Sequence, residues 1–553
     1  MSGAAGARDV PSFVEAELAL QAGFAADQPR LRRAADLLEQ GRYEGAAQLL
    51  RAHLEENPTD PVALYLMAES ASRKGQTGAA EQLLAKCVNS APRFAAARLS
   101  YAQVLLAAHR SAAAVEQADL LLQQLPENPI ARKLKASALE KAEEYALAAL
   151  CWRDLCADYP AFSEGWLHYG YALRLIGQQQ EAIAAYRRAI EADPANASAY
   201  WELAAIKVFR FADADIEQME NLLRRSDLAA TERAKLHFAL GQAYGERQDY
   251  QKSFANYAKG NALQSLGAKH DPERMTRYVA ATKEILTSEF FKERAGFGCQ
   301  SGEPIFIVGM QRSGSTLVEQ ILASHSQIEG TKELPELLLT LWEHLETVGT
   351  QAERAFGPAQ LARFDTATCR KLGERYLERT QMHRTAGRAF FTDKMPANFA
   401  YIGLIRLILP NAKIIDVRRH PMACGFANFT ELFSGTNEVA YRLGDIGLAY
   451  RNYVELMAHF DAVMPGRVHR IFYEKLVAEP EAEIRRLLEH LNLPFEQNCL
   501  EFYKTERTVT TRSSEQVRRP IYRAAVDRWR NYEPWLGPLK SALGNVVEHY
   551  PSA

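Results

Sequence analysis

The sequence predicts a chain of two parts, an α-solenoid of helical hairpins followed by an α/β domain built on a parallel sheet. Three observations support this prediction. Prolines recur at a fixed interval through the first half of the 553-residue chain. A glycine-bearing loop joins a short apolar run to an amphipathic segment at 304–323. Strand-like and helix-like segments then alternate, which favours a parallel sheet with covering helices.

The first half of the chain repeats with a period of 34 residues. This interval separates neighbouring prolines in the series Pro58, Pro92, Pro126, Pro160 and Pro194. It is typical of tetratricopeptide repeats, helix–turn–helix units that stack into a solenoid. Small residues, which allow the two helices of a unit to pack closely, keep the same register at Ala46, Ala80, Ala114, Ala148 and Ala182. Each proline ends a unit, because proline cannot continue a helix.

Five regular repeats are expected from about residue 27 to residue 196. Two degenerate repeats follow at Tyr200–Ala230 and His237–Gln264, where the register slips by three residues. The predicted domains are an N-terminal segment at 1–26, the repeats at 27–267, a helical linker at 268–300 and the α/β domain at 301–553.

A solenoid of this kind presents a concave groove in which a protein or peptide can bind. A second interpretation is that the array only supports the C-terminal domain or mediates self-association. The sequence leaves both interpretations open, and it leaves the oligomeric state open as well.

Composition limits the partners and the compartment. The net charge is −2, so the whole chain shows no electrostatic preference for nucleic acid. Seven cysteines include no C-x-x-C pair, which is typical of reduced thiols in a cytoplasmic protein. Acidic residues interrupt the N-terminal stretch, and no run of about 18 apolar residues occurs, so we expect neither a signal peptide nor membrane insertion.

The stretch Pro304–Ala323 reads as strand, loop and helix. Its loop runs from Gly309 through Gly314 to Thr316 and fits the phosphate-binding frame G-x-x-x-x-G-K-[ST] at every position but one. Ser315 stands where that frame has lysine, and Arg312 supplies positive charge inside the loop. The missing lysine argues against a nucleotide kinase or other NTPase, because that lysine reaches the β- and γ-phosphates. An unrelated α/β turn is the simpler alternative.

Three further strands are predicted in the C-terminal half. They are Phe390–Pro396, Lys413–Val417 and His469–Tyr473, with helices at Ala400–Leu409 and Glu481–His490 and a helix-rich region at Leu337–Arg384. The loop Gln327–Leu337 carries Lys332 and Glu333. Ligands of parallel sheets bind at the carboxyl ends of the strands, so the glycine loop, Lys394, Arg419 and Tyr473 are expected to converge there.

This constellation resembles the sulfotransferases that use 3′-phosphoadenosine 5′-phosphosulfate. It is most similar to the tyrosylprotein sulfotransferases and to bacterial proteins that join tetratricopeptide repeats to that domain, and the resemblance covers about 301–553. The motif RSGSTL resembles the family's 5′-phosphosulfate loop. The resemblance implies that the donor is held, without a metal, by Arg312, Ser313, Gly314, Ser315, Thr316 and Leu317.

Two residues match catalytic groups of the same family. Glu333 matches the glutamate that serves there as general base, and Lys394 matches the lysine that stabilises charge on the leaving phosphate oxygen. Spacing alone also allows Glu333 to be a solvated loop acid like its neighbours Glu329 and Glu336. It likewise allows Lys394 to be a surface lysine at a strand end.

The 3′-phosphate site of the family has an arginine at a strand end and a serine eight residues later. Arg419 matches the arginine, but Ala427 stands in place of the serine. Asn428 or Thr430 is then expected to supply the missing donor, or phosphate affinity is lower. Arg418 is expected to be a solvated flank.

The remaining matches lie at the end of the sheet and in the tail. Tyr473 matches an aromatic residue near the adenine, although a buried strand end explains it equally well. In the tail Thr511–Trp529, Ser513 matches a serine near the transferred group and Arg528 a cation at the cofactor. The arginine-rich tail is expected to cover the nucleotide, and an exposed basic helix is the alternative.

The resemblance therefore implies transfer of a sulfuryl group to an acceptor hydroxyl, with a protein or peptide tyrosine as one acceptor. Likeness to that family favours tyrosine, a small-molecule or glycan hydroxyl is fully compatible, and a repeat-based interaction protein with an inactive enzyme domain is the remaining alternative. His325, His383 and His420 show no spacing that favours a metal and are expected to be structural or solvated.

Overall fold

The fold is that of a computed structural model of the chain. It describes residues 28–206, 208–266, 271–346, 357–433, 441–507, 509, 516–521, 523 and 526–551. Contacts between Cα atoms divide the chain into two compact units, Met1–Glu202 and Leu203–Ala553.

The first unit is a series of helical hairpins that confirms the predicted solenoid. The second helices of successive hairpins begin 34 residues apart, as at Tyr43 and Thr77, and so do the first helices from Pro61 onward, as at Pro61 and Ala95. The helices are α1 Pro29–Glu39, α2 Tyr43–Glu56, α3 Pro61–Arg73, α4 Thr77–Ser90, α5 Ala95–Ala107, α6 Ser111–Gln124, α7 Pro129–Lys141, α8 Tyr145–Asp158, α9 Ser163–Leu175 and α10 Gln179–Ala192.

Small residues close each hairpin as the pattern predicts. The five alanines of the repeat register have no exposed surface: Ala46, Ala80, Ala114, Ala148 and Ala182. In the fifth repeat a Cβ added to Gly170 would lie 2.6 Å from the Tyr186 ring. The two helices therefore approach more closely at this point than any side chain on residue 170 would allow.

The second unit begins with helices that continue the repeats. These are α11 Ala197–Ala205, which crosses the division, α12 Asp213–Leu223, α13 Ala230–Glu246 and α14 Tyr250–Ser265. A Cβ on Gly241 would lie 2.7 Å from the Tyr257 ring. Gly241 and Tyr257 are 16 residues apart, as Gly170 and Tyr186 are. The α13–α14 hairpin is therefore packed like a regular repeat, and the shifted register was predicted correctly.

The α13–α14 hairpin belongs to the same compact unit as the α/β fold. The Phe254 ring stacks on Phe429 and Trp535, with centroids 5.6 and 5.7 Å away. The buried Asn261 amide donates to the Phe429 carbonyl at 2.8 Å. Because of these contacts the division falls at residues 202/203, ahead of the predicted end of the repeats at 267. The predicted boundaries at 26, 267 and 300 stay predictions about the sequence domains.

The segment predicted as a helical linker holds two helices, α15 Arg274–Ile285 and α16 Ser288–Glu293. Its side chains meet the α/β fold at several points. Asn452 donates to the Thr276 hydroxyl at 2.9 Å, and Lys283 pairs with Glu455 at 2.7 Å. These helices therefore pack as part of the second unit.

Five parallel strands form the sheet of the second unit, as the alternation predicts. They are β1 Pro304–Gly309, β2 Ile328–Glu329, β3 Phe390–Asp393, β4 Lys413–Arg418 and β5 Val468–Phe472. All six residues of β1 are buried, because helices cover both faces of a parallel sheet. The sequence missed β2, which has only two residues and lies inside a segment predicted to be a loop.

An apolar core of this fold includes Ile307, Ile415 and Ile471 of three adjacent strands. The helices are α17 Ser315–Ala323, α18 Glu336–Glu346, α19 Pro358–Leu361, α20 Thr366–Thr380, α21 Ile402–Ile408, α22 Pro421–Phe429, α23 Leu443–Val463, α24 Tyr473–Ala478, α25 Pro480–His490 and α26 Gly537–Leu543. Within the described segments, no helix combines the length and the apolar character needed to cross a membrane.

The strand order β2-β3-β1-β4-β5 defines where a ligand is expected. Strands that follow β1 in the chain lie on both of its sides, so the order reverses between β1 and β4. Ligands of open parallel sheets bind outside the carboxyl ends of the strands at such a switch point. The loop after Gly309 and the arginines after Val417 leave the sheet there, because Gly309 pairs with Val417 in register.

Candidate functional site

The loop Gly309–Thr316, called the anion loop below, is wound tightly between β1 and α17. Three of its residues have positive φ, namely Gly309 at 145°, Arg312 at 64° and Gly314 at 101°. A Cβ on Gly309 would lie 2.4 Å from the Val417 carbonyl oxygen. Loops of this form, leading into a helix N-terminus, direct backbone N–H groups toward a bound anion.

The hydroxyl groups of the anion loop are buried. Ser313, Ser315 and Thr316 are only 1%, 5% and 6% exposed. The Ser313 hydroxyl has no hydrogen-bond partner, although buried polar groups nearly always have one. A bound phosphate or sulfate oxygen would satisfy it. Leu317 contributes differently, because its side chain packs on the core and its N–H donates to the Gly314 carbonyl at 3.0 Å.

Three strand ends meet at the anion loop. The Tyr473 ring, at the start of α24 after β5, lies so close that a Cβ on Gly314 would be 2.5 Å from it. The Arg419 guanidinium lies over the same ring, 5.2 Å from its centroid. Arg419 also donates to the Arg312 carbonyl at 3.1 Å. The structure therefore brings Arg312, Gly314, Arg419 and Tyr473 together, as their positions at strand ends predict.

Replacement of Gly314 by alanine is expected to weaken binding of adenosine 3′,5′-bisphosphate about a hundredfold, since strain and collision together cost a few kcal/mol. The new methyl would meet the Tyr473 ring at an unfavourable φ and displace the loop. Isothermal titration calorimetry measures the change. Gly387→Ala is the matched control, because Gly387 has φ of 62° but nothing within 4 Å of the added Cβ. Equal affinities of Gly314→Ala and Gly387→Ala would contradict this role.

A helix behind the anion loop holds its backbone in place. The Asn428 side-chain amide donates to the Gln311 carbonyl at 2.8 Å and to the Cys424 carbonyl at 2.9 Å. Both of its N–H groups are thus engaged. Asn428 therefore supports the loop, and its use as the donor that replaces the serine expected at Ala427 stays a prediction without a contact in its favour. Thr430, the other substitute, directs its hydroxyl toward the Ala427 carbonyl at 3.4 Å.

Two charged side chains predicted to be catalytic form an ion pair. The Lys394 ammonium donates to a Glu333 carboxylate oxygen. Lys394 is 1% exposed, whereas the Glu333 side chain is 46% exposed. The backbone fixes the pair, because the Lys394 N–H donates to the Lys332 carbonyl at 3.2 Å. A buried cation and a half-exposed carboxylate therefore lie at the carboxyl end of β3.

The acids beside Glu333 are not solvated, in contrast to the expectation for Glu329 and Glu336. Each is 5% exposed. Glu329 accepts from the Ala386 N–H at 2.6 Å, and Glu336 is paired with His383 at 2.7 Å. Burial with specific partners gives them structural roles. Of these three acids, Glu333 is the one accessible to a substrate.

Asp393 precedes Lys394 and is fully buried. Burial raises the pKa of its carboxyl to about 8, although the hydrogen bond from the Tyr376 hydroxyl acts in the opposite direction. A carboxyl with this pKa is mostly protonated at neutral pH. Asp393 is therefore not the carboxylate that pairs with Lys394, whose ammonium contacts Glu333.

Of the two site residues predicted in the tail, the structure describes one. Ser513 lies outside the residues that the structure describes. Arg528 begins a 3-10 helix, Arg528–Trp535, and its guanidinium donates to Gln242 of α13 at 3.0 Å. This contact ties the tail to the α13–α14 hairpin, and a role for Arg528 at a nucleotide stays a prediction.

Arg418 was expected to be solvated, and this was wrong. Its side chain is 11% exposed and pairs with the buried Asp416 at 3.1 Å.

His325 is fully buried and bonded to the Pro494 carbonyl at 3.0 Å, and His420 stacks on Trp529 with centroids 5.2 Å apart. His325 and His420 thus make structural contacts.

Sequence reasoning missed two charged neighbours of the site. Glu431 lies 3.7 Å from the Arg312 guanidinium, and Arg507 contacts the loop that carries Glu333. Neither stands at a strand end or in a recognisable spacing. Only the packing of distant segments reveals them.

Comparison with known proteins finds matches to both parts of the chain. Residues 304–497 match a model described as sulfotransferase family, and tetratricopeptide-repeat models match 37–92, 65–129 and 170–207. An uncharacterized protein of Aquifex aeolicus (strain VF5) is 32% identical over 416 residues, which are 74% of this chain and 54% of that protein. Protein-tyrosine sulfotransferase A of Caenorhabditis elegans is 23% identical over 238 residues, 41% of this chain and 60% of that protein.

One of the similar solved structures is a sulfotransferase domain from the curacin biosynthetic pathway. It is 21% identical, with a TM-score of 0.34, and the match covers 45% of this chain and 98% of that domain. The chain spans between half and two thirds of the length of the two relatives named above. The chain thus contains tetratricopeptide repeats followed, at residues 304–497, by a domain of the sulfotransferase family.

Proposed function

We propose that this protein transfers a sulfuryl group from 3′-phosphoadenosine 5′-phosphosulfate to an acceptor hydroxyl. The observation that carries the proposal is the lysine-free anion loop after β1, with its buried, unpartnered Ser313 hydroxyl, together with the Lys394–Glu333 pair at the end of the adjacent strand β3. The loop supplies an anion site, and the pair supplies a base and a cation. These are the groups that transfer of an anionic group to an alcohol requires.

What the loop lacks supports a phosphosulfate as the anion. A nucleoside triphosphate needs a lysine that reaches its β- and γ-phosphates, and Ser315 occupies that position here. A phosphosulfate is shorter and carries less charge, so backbone amides, hydroxyl groups and Arg312 are sufficient to hold it. The absence of a side chain at Gly314 lets the Tyr473 ring pack directly against the loop, where the proposal places the nucleotide.

The chemistry divides between the two members of the ion pair. Glu333 accepts the proton of the acceptor hydroxyl while that oxygen forms a bond to sulfur. The bond between sulfur and the bridging phosphate oxygen breaks, and its electron pair remains on that oxygen. Lys394 and Arg312 stabilise the negative charge that develops there, and the products are a sulfate ester and adenosine 3′,5′-bisphosphate. The protein contributes positioning and charge stabilisation.

Arg419 and Tyr473 are proposed to hold the nucleotide at its other end. The guanidinium carries the positive charge that a 3′-phosphate needs, and the aromatic ring beneath it offers a face for the adenine. Ala427 leaves one side of that phosphate without the expected hydroxyl. Arg528 and Ser513 complete the proposed set from the tail.

The proposal for the acceptor rests on similarity to a relative and on the presence of the repeats. The Caenorhabditis elegans relative is a protein-tyrosine sulfotransferase, which supports a protein tyrosine as acceptor, and the repeats support a protein or peptide partner. A small-molecule or glycan hydroxyl is the alternative. Incubation with donor labelled in its sulfate group, followed by analysis of tyrosine peptides, phenols and oligosaccharides, distinguishes these acceptors.

Binding of the nucleotide tests the proposal before any acceptor is known. We expect the purified protein to bind adenosine 3′,5′-bisphosphate at least tenfold more tightly than ATP with magnesium, a difference of about 1.4 kcal/mol or more. Isothermal titration calorimetry measures both constants. Tighter binding of ATP with magnesium would overturn the assignment and favour a nucleotide kinase or NTPase.

A further inference from the structure

We propose that Arg507 is a positioning residue that fixes the loop carrying Glu333 against the helix that follows the anion loop. Its guanidinium has three partners. Nε donates to the Gln320 amide oxygen at 2.7 Å, Nη1 donates to the Thr331 carbonyl at 3.0 Å, and Nη2 forms an ion pair with the Glu319 carboxylate at 2.9 Å. This inference rests on the proposed function, because it assigns the role of Glu333.

The three partners belong to the two halves of the site. Glu319 and Gln320 lie on α17, whose first turn forms part of the anion loop. Thr331 lies two residues before Glu333. One planar, rigid group thus sets the separation between the segment that holds the donor and the segment that holds the base. The long, flexible side chain of a lysine cannot reproduce this geometry.

The setting of the guanidinium is buried and tightly packed. The Arg507 side chain is 13% exposed and that of Glu319 2%. A Cβ on Gly330 would lie 2.7 Å from Nη1 of Arg507 and 2.4 Å from Cβ of Ala323. Residue 330 therefore has to be glycine for the loop to close on the arginine.

The chain around Arg507 is itself anchored. The Gln320 amide donates to the carbonyls of Phe502 and Thr505 at 3.0 and 3.1 Å, and the Ser324 and Thr505 hydroxyl oxygens lie 2.7 Å apart. The guanidinium thus projects from a backbone held on α17. Arg507 lies beyond the segment that matches the sulfotransferase model, residues 304–497.

Because Arg507 holds the loop that carries Glu333, its replacement should lower kcat and change the affinity for the donor very little. Misplacement of a catalytic group by about 1 Å can cost on the order of a hundredfold in rate. We therefore expect Arg507→Lys to lower kcat about 10- to 100-fold. The dissociation constant for adenosine 3′,5′-bisphosphate should stay within about threefold, because the anion loop is unchanged.

A double-mutant cycle with Glu333→Gln separates positioning from a general loss of structure. If Arg507 acts through Glu333, the change to lysine costs little once the base is absent, so the two losses are not additive. Full additivity in kcat would overturn the inference. Arg388→Lys is the matched control, because Arg388 also donates to three backbone carbonyls, those of Ala323, His325 and Ile328, but to none between Gly330 and Glu333. An equal fall in kcat for Arg388→Lys would likewise overturn it.

Hydrogen exchange of the amides at 331–334 provides a readout that does not depend on activity. Arg507→Lys is expected to speed exchange there at least about tenfold relative to the unchanged protein and to Arg388→Lys. Unchanged exchange would overturn the inference. If the unaltered protein binds the bisphosphate but transfers no sulfuryl group to any acceptor, the proposed function fails and the inference fails with it. That failure is seen in the unaltered protein, whereas failure of the inference alone is seen only in the variants.

Glu319→Gln supplies a second variant if Arg507→Lys does not fold. The amide keeps an oxygen acceptor for the guanidinium but removes the charge that holds it. The same pattern is expected in smaller measure, with kcat reduced about threefold to tenfold, faster exchange at 331–334 and unchanged bisphosphate affinity. A Glu319→Gln protein with normal kcat and normal exchange would overturn the inference.

Discussion

Substitution of Glu333 by glutamine is expected to reduce kcat about a thousandfold, within the range for loss of a general base. Glutamine keeps the shape of the side chain but cannot accept the proton of the acceptor hydroxyl. The Lys394 ammonium can still donate to the amide oxygen, so the fold and the anion loop should be retained. Initial rates with labelled donor and calorimetry with adenosine 3′,5′-bisphosphate measure the two effects separately.

Glu343→Gln is the control for this substitution. The Glu343 side chain is 48% exposed, close to the 46% of Glu333, and it too is paired with a cation, Arg375 at 3.2 Å. Surface pairs of this kind contribute about 0–1 kcal/mol, so its kcat should be unchanged. Sulfuryl transfer by Glu333→Gln at the rate of Glu343→Gln would mean that another group removes the proton.

The elements that carry the site were predictable because they are local. A buried parallel strand is a short, continuous apolar run, and β4 and β5 were each placed within one residue at both ends. The spacing of Gly309 and Gly314 predicts the anion loop from the sequence. Parallel strands share one carboxyl edge, so Arg419, Tyr473 and the loop had to meet there.

What could not be predicted depends on contacts between segments far apart in the chain. Asn428 carries no local sign that it supports Gln311, 117 positions away. The repeat pattern predicts only contacts within each hairpin. It therefore did not predict that the α13–α14 hairpin packs on Phe429 and Trp535. The exposure of a side chain could not be predicted either. Glu329, Glu333 and Glu336 lie in similar sequence surroundings, but of the three only Glu333 is accessible.

Replacement of Lys394 by methionine is expected to lower kcat about 100- to 1000-fold, as loss of a preorganised charge in an active site does. Methionine fills the space of the lysine stem, and Lys394 is almost fully buried, so the apolar side chain suits its surroundings. The Glu333 carboxylate loses its partner but is half-exposed and stays solvated, so the protein should fold. What is lost is the cation that stabilises the leaving phosphate oxygen.

The split between kcat and binding identifies this role. A charge that acts on the leaving oxygen lowers kcat and kcat/KM together and leaves bisphosphate affinity within about tenfold, because the interaction is strongest in the transition state. Lys413→Met is the control, since Lys413 begins β4 at the amino edge of the sheet, opposite the site. A Lys394→Met protein that keeps its kcat but loses the nucleotide would show that the lysine binds the donor in its ground state, and the leaving-group role would then belong to Arg312.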